Sequence, residues 1–274
     1  MKAIVPHSID YLVRGFDCGW GGPLRVLPMT NILQEAAGEH AIELGFGIPE
    51  LNERGMTWML VKADIRVDRL PGWNDRIRVR TWPSGLDRLL ALRDIIIETE
   101  AGEPLVRSVY AYLIVDLASR RPLRPERAIP ELAEIDVKTN GHCVPDFRFG
   151  VAELAAADRV PSFRQEACAR HRDDNGHVNN AHIIDWLVDA APESRRGSAL
   201  TGLRVDFLKE VLVGEALDLA HGKEHDGKPS AALAISGSAG SEASGLVTEA
   251  RREGECVARA ATNWRHDGIT TEAD

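Results

Sequence analysis

Residues 172–192 read R-D-D-N-G-H-V-N-N-A-H-I-I-D-W-L-V-D-A-A-P. The second half of this stretch is a short amphipathic helix: Ile183, Ile184, Leu187, Val188 and Ala191 fall on one helical face, and Pro192 ends it. The first ten residues hold two aspartates, three asparagines and a histidine, far more hydrogen-bonding groups than a helix start needs. Asn179 or Asn180 serves as the cap, Gly176 permits a tight turn, and Asp174 reads as a solvated turn acid. Asp173, Asn175 and His177 are left over.

Working outward, the same order of elements occurs in the first half. Residues 7 to 20 look strand-like and run into the glycine cluster C-G-W-G-G-P (18–23). A helical pattern follows, with Ile32, Leu33, Ala36, Ala37, Ala41 and Leu44 near helical spacing, Thr30 as its cap and Gly45 as its stop. The period then changes to that of strands at 58–68, 73–82, 89–100 and 106–116, separated by P-G-W-N-D, P-S-G-L-D and E-A-G-E-P turns. Residues 119 to about 160 are rich in proline and charge and read as a linker containing a short helix. After the 172–192 stretch, strands are expected at 202–210, 215–222, 230–237 and 256–264.

The string R-V-D occurs in both halves, at Arg66–Asp68 and Arg204–Asp206, and each leads to a strand opening on an acid, Asp75 or Glu215. Val67 to Asp75 spans eight residues and Val205 to Glu215 ten, which implies a two-residue insertion in the second half. The repeat unit is strand, long helix, four-stranded antiparallel meander. A helix against a curved antiparallel sheet buries both apolar faces, so the fold class is α+β, twice, with two units able to pair as pseudo-dimers do. The expected boundaries are 1–130, a linker over 131–160, and 161–274.

Composition agrees with a globular chain. At 274 residues, 44% apolar and 27% charged, it can form two domains with real cores. A net charge of −9 provides no global field for nucleic acid. Cys18, Cys143, Cys168 and Cys256 form no C-x-x-C pair and are expected as free thiols in a reducing compartment. There is no membrane-span-length apolar run and no apolar signal core, so a soluble cytoplasmic protein is expected. A metal site from Cys168, His171, His177 and His182 is disfavoured, because the spacings do not share a helical face, and no cofactor is expected.

Helix wrapped by sheet, with N-G-H-V-N-N entering the second helix, resembles the hotdog fold. More closely, the chain resembles the acyl-acyl carrier protein thioesterases, a double-hotdog family. Four pieces carry the likeness: L-Q-E-A-A-G-E-H-A (33–41), the W-M-L-V…R-T-W span (58–82), D-D-N-G-H-V-N-N-A (173–181) and L-R-V-D-F-L-K-E (203–210). The resemblance implies Asp173, Asn175, His177 and Glu210 as the catalytic set, hydrolysis of a fatty acyl thioester, and an acidic acyl carrier protein as partner.

These residue types suit that chemistry. Histidine and glutamate can both act as the base for water, an asparagine amide or helix-start N–H groups can stabilise an oxyanion, and Asp173 can orient the imidazole or the water. Both Glu210 and His177 remain candidates for the base. Plant relatives carry cysteine after the glutamate; Val211 stands there, so activated water is implied, with a covalent Glu210 intermediate as the lesser alternative. The loop F-D-C-G-W-G-G of the first half has no N-x-H, so one active site per chain is expected, and the resemblance assigns the acyl tunnel to the first unit.

Arg76, Arg78 and Arg80 share one face of a strand and read either as a solvated face or as a docking patch for the acidic carrier. Three alternatives stand beside the carrier-specific reading: an acyl-CoA thioesterase of the same fold, a dehydratase, and a non-catalytic acyl-binding module. A homodimer is left open.

Overall fold

The computed structural model describes residues 2–19, 22–136, 140–192, 195, 198–224 and 245–266, and the chain divides into two compact units, Met1–Phe147 and Arg148–Asp274. The strand expected at 230–237 lies outside the described residues.

The first unit begins with β1 (Lys2–Ala3), which pairs in parallel with β8 (Ile135–Asp136) at the unit's end. Its main sheet is antiparallel, in the order β2-β4-β5-β6-β3: β2 (His7–Leu12), β3 (Met56–Val67), β4 (Arg76–Asp87), β5 (Leu90–Thr99) and β6 (Pro104–Asp116). β7 (Pro122–Leu123) adds to the end of β6. The helix α1 (Val26–Glu43) buries Met29, Leu33, Ala36 and Ala37 against the sheet, followed by α2 (Ile48–Glu53) and the short α3 (Pro125–Ala128).

The expected cap at Thr30 is wrong. The helix starts a turn earlier, with Arg25 at the N-cap, and the Thr30 hydroxyl donates back to the carbonyls of Val26 and Leu27. Pro28 is tolerated because the first turn needs no intrahelical N–H.

The second unit repeats the plan. β9 (Val160–Glu166), a strand not separately expected, precedes α4 (Asn180–Asp189), and the sheet runs β10-β13-β12-β11-β9. Its other members are β10 (Ser198–Phe207), β11 (Ala216–Lys223), β12 (Leu246–Arg252) and β13 (Glu255–His266). Strand for strand this is the order of the first unit.

Hydrogen bonds fix the register of the repeat and correct the R-V-D alignment. The N–H groups of Asp68 and Arg69 both donate to the Leu105 carbonyl; in the second unit Leu208 and Lys209 donate to Val257. The bulge at Leu60/Lys62 in β3 matches that at Leu200/Gly202 in β10. Asp68 is therefore the counterpart of Leu208, Asp75 of Glu215, and there is no insertion between them. The shared R-V-D is a coincidence two residues out of register.

The segment expected as a linker is bound down on both sides of the unit boundary. On the first unit, buried Asp94 accepts from the Cys143 N–H and pairs with His142 at 2.8 Å, while the Trp82 indole donates to the Gly141 carbonyl. On the second, Asp206 accepts from the Val151 N–H and Glu249 from the Leu154 N–H.

One buried group in the first unit makes stability depend on pH. His40 in α1 accepts from the Arg93 guanidinium at 3.0 Å and stacks on His7, whose ring reaches Glu39 and Glu43. Burial first, then the positive charge of Arg93, lowers the His40 pKa to about 3. An unfolded chain protonates this histidine below about 6.5, while the folded one resists, so its contribution is complete above that pH and is lost as pH falls toward 3. His40→Gln should flatten the fall of unfolding free energy over that window, by up to ~1.4 kcal/mol per pH unit, seen as a shallower fall of melting temperature. Parallel curves for the two proteins would refute this.

Candidate active site

The site lies in the second unit, where two loops meet. One runs from Asp173 to Asn179, just before α4; the other leaves β10 and carries Glu210. The glutamate lies beyond the strand rather than on it, since β10 ends at Phe207. The Val178 N–H donates to the Val211 carbonyl at 2.8 Å and joins the loops.

Within the first loop, Asp173 accepts from the backbone N–H groups of Asn175 at 3.0 Å and His177 at 3.1 Å. Its own N–H donates to the His177 carbonyl, and Gly176 turns at a φ of 85°, where a Cβ would be strained. Asp173 thus shapes the loop through its backbone. Asn179 caps α4, its side chain accepting from the Ala181 N–H at 2.8 Å.

This folding brings the His177 Nε2 atom to 3.2 Å from Glu210 Oε2, with both side chains partly open to solvent. The pair can hold a proton between them and offer it to a molecule approaching from solvent. The Asn175 side chain sits on the exposed side of the same turn.

Sequence reasoning missed a supporting residue. Arg252, at the end of β12, donates to the Glu210 carbonyl at 3.2 Å and to the Glu215 carboxylate at 2.6 Å. Burial alone would raise the Glu215 pKa, but the Leu212 N–H and Arg252 outweigh it and hold that carboxyl low. No local motif marks Arg252, because the contact spans the sheet.

The disfavoured metal set divides. Cys168 and His171 touch, and His171, His182 and Trp186 form an aromatic cluster in which only His182 and Trp186 stack, whereas the His177 ring goes to Glu210. Burial lowers the pKa of both His171 and His182. Among the described residues no three His, Cys, Asp or Glu side chains are grouped to hold a metal ion.

The three arginines of β4 are unequal. Arg78 pairs with Asp10 at 2.9 Å and Arg80 approaches Glu98 at 3.8 Å, while Arg76 is exposed at the start of the strand.

Two helix-on-sheet units, one of them with a histidine before its helix paired to a glutamate beyond its first meander strand, define a double hotdog protein. The comparisons agree. The family model for the acyl-ACP thioesterase N-terminal domain matches residues 6–132, and that for the C-terminal domain matches residues 169–266. The chain belongs to the acyl-ACP thioesterase family.

Among curated relatives, the chloroplastic palmitoyl-acyl carrier protein thioesterase of Gossypium hirsutum is 27% identical over 71% of this chain and 50% of its own length. The chloroplastic dodecanoyl-acyl-carrier-protein hydrolase of Cinnamomum camphora is 24% identical over 95% of this chain and 69% of its own. The chain spans about half the length of the first of these relatives. Among solved structures, an acyl-ACP thioesterase from Bacteroides thetaiotaomicron superposes with a TM-score of 0.78 at 20% identity, covering 95% of this chain and 98% of that one. The 12:0-ACP thioesterase from Umbellularia californica gives 0.78 at 21%, covering 95% and 94%. These likenesses establish the fold. No helix among the described residues is long and apolar enough to cross a membrane.

Proposed function

We propose that this chain hydrolyses fatty acyl-acyl carrier protein to the free fatty acid and the carrier. The observation that carries the reading is the His177–Glu210 pair at 3.2 Å on two loops tied by the Val178–Val211 hydrogen bond. Glu210 takes a proton from water as its oxygen attacks the thioester carbonyl carbon. The oxyanion is stabilised by the Asn175 amide or by N–H groups at the start of α4. When the carbon–sulfur bond breaks, the leaving sulfur takes the proton from His177 Nε2, which recovers one from Glu210. Asp173 acts by holding the turn that aims His177.

The acyl chain is assigned to the interior of the first unit. Each buried methylene contributes about 0.8 kcal/mol, so a range of lengths is expected rather than one. The cytoplasm is the proposed compartment, in keeping with four free thiols.

The test is hydrolysis of carrier-bound and CoA-bound acyl groups across a series of chain lengths. Faster turnover of the CoA esters would favour the acyl-CoA reading, and background rates on both would favour a binding module. For docking, Arg76→Glu is combined with Arg78→Gln and Arg80→Gln, since glutamates at 78 and 80 would face Asp10 and Glu98. The triple variant should raise KM for carrier-bound substrate severalfold and leave short acyl-CoA turnover unchanged. An equal effect on both substrates would sink the docking role.

A further inference from the structure

The first unit contains a backbone copy of the catalytic loops. The 3-10 turn Gly15–Asp17 matches Ala169–His171, and the bridge Cys18–Leu24 matches Arg172–Val178. Gly22 donates to the Gly19 carbonyl as Gly176 does to Asp173, and Arg25 donates to Asp17 as Asn179 does to His171. Leu24 donates to Pro71 as Val178 does to Val211. The chemistry is gone: Gly19 stands for Asp173, Pro23 for His177, and Leu70 for Glu210.

What the copy carries instead is two bare aromatic rings. Phe16 is 76% exposed and Trp73 71% exposed, on loops that touch, since a Cβ on Gly15 would lie 3.8 Å from the Trp73 indole nitrogen. Their counterparts in the second unit are Arg170 and Val213, so the fold does not require aromatics at these positions. The described parts of both loops are pinned through their backbone. Trp73 N–H donates to Gly22, Asn74 to Val13, Val13 to Asp75, and the Arg25 guanidinium to the Phe16 carbonyl.

The surrounding charge is positive, against the sign of the whole chain. Arg14, Arg25, Arg69 and Arg76 are exposed, and of their guanidiniums only that of Arg69 comes within ion-pair distance of an acid among the described residues, Asp75 at 4.0 Å. Asp17 is buried and accepts from the Tyr11 hydroxyl and the Arg14 N–H. Among the described residues no carboxylate stands within ion-pair distance of Arg14, Arg25 or Arg76.

We propose that this tip, Phe16 and Trp73 ringed by arginines, docks on an anionic lipid surface. Aromatic side chains settle at the headgroup level of a bilayer, and each nearby cation is worth about a fivefold gain on anionic lipid. Aromatic side chains, with two rotatable bonds each, also lose little conformational freedom on docking. The proposal goes beyond hydrolysis: a peripheral enzyme would release a poorly soluble acid where it can partition.

The test is co-sedimentation with phosphatidylcholine vesicles, with and without phosphatidylglycerol. The wild-type protein should bind only the anionic vesicles, less well at high salt. Phe16→Ser/Trp73→Ser and Arg14→Glu/Arg25→Glu should each lose about tenfold or more in affinity. Both should keep wild-type turnover of a soluble short-chain thioester, which reports on the hydrolase independently. If the serine pair does not fold, the glutamate pair decides. Failure of the wild type to bind anionic vesicles overturns the proposal, as does unchanged binding by the variants. A raised KM for carrier-bound substrate, or a dimer turned to monomer, at unchanged vesicle binding would assign the tip to the carrier or to a second copy and also overturn it.

Discussion

Glu210→Gln is expected to lower kcat on an acyl thioester by about 10²–10⁴-fold while leaving the melting temperature within a degree or two of wild type. Both halves of that expectation come from geometry. The carboxylate stands 3.2 Å from His177 Nε2 and is partly open to solvent, so glutamine there costs the fold little. The amide, however, cannot take a proton from water. His177→Ala should have an effect of the same size, and the double variant should be scarcely slower than either single one, because the two side chains handle the same protons. The backbone copy in the first unit gives no reserve, since Pro23 and Leu70 occupy the counterpart positions. Rates multiplying in the double variant would mean that the two residues act in separate steps. A single variant retaining more than about a tenth of wild-type turnover would remove the pair from the chemistry.

Much of this was legible in the sequence, and the parts that were not have physical reasons. Apolar, β-branched runs between turn signals marked the long strands of the first unit, because those strands are buried over much of both faces. The polar crowd at 173–180 was legible as more than a cap, and the structure separates its jobs: Asn179 caps, Asp173 shapes the turn, and His177 turns toward Glu210. β9 was hidden because its side chains are almost all exposed, so no alternation betrays it. The start of α1 was hidden because Pro28 and Arg25 are weak starting signals and Thr30 a strong false one. The R-V-D repeat misled because three matching letters outweighed a register that only backbone hydrogen bonds reveal. Arg252 could not have been found, since its role depends on a strand far along the chain ending beside Glu210.

Glu249→Ala should produce the largest loss of stability in the second unit, about 3–5 kcal/mol, read as a fall of roughly 10–15 °C in the unfolding of that unit. The Glu249 side chain is fully buried in β12. It accepts from the Leu154 N–H at 2.6 Å, from Arg159 Nε at 3.0 Å and from Arg251 Nη1 at 2.9 Å. Alanine would leave a buried N–H and two partly buried guanidiniums without the carboxylate that answers them, and their desolvation would remain. Glu153 is the internal control. It approaches the same two arginines, at 3.4 Å and 3.2 Å, but its side chain is about half exposed, so Glu153→Ala should cost less than about 1 kcal/mol. The difference also has a location. Glu249 holds Leu154 and Arg159 down, so its loss should open residues 148–159 to proteolysis, whereas loss of Glu153 should not. Equal effects of the two substitutions would show that the segment is held by apolar contacts of Val151 and Leu154 with Val247 and Ala261 instead. A selective effect would show that residues 148–159, part of the stretch whose charge and proline content read as a linker, are built into the second unit by a buried charge cluster.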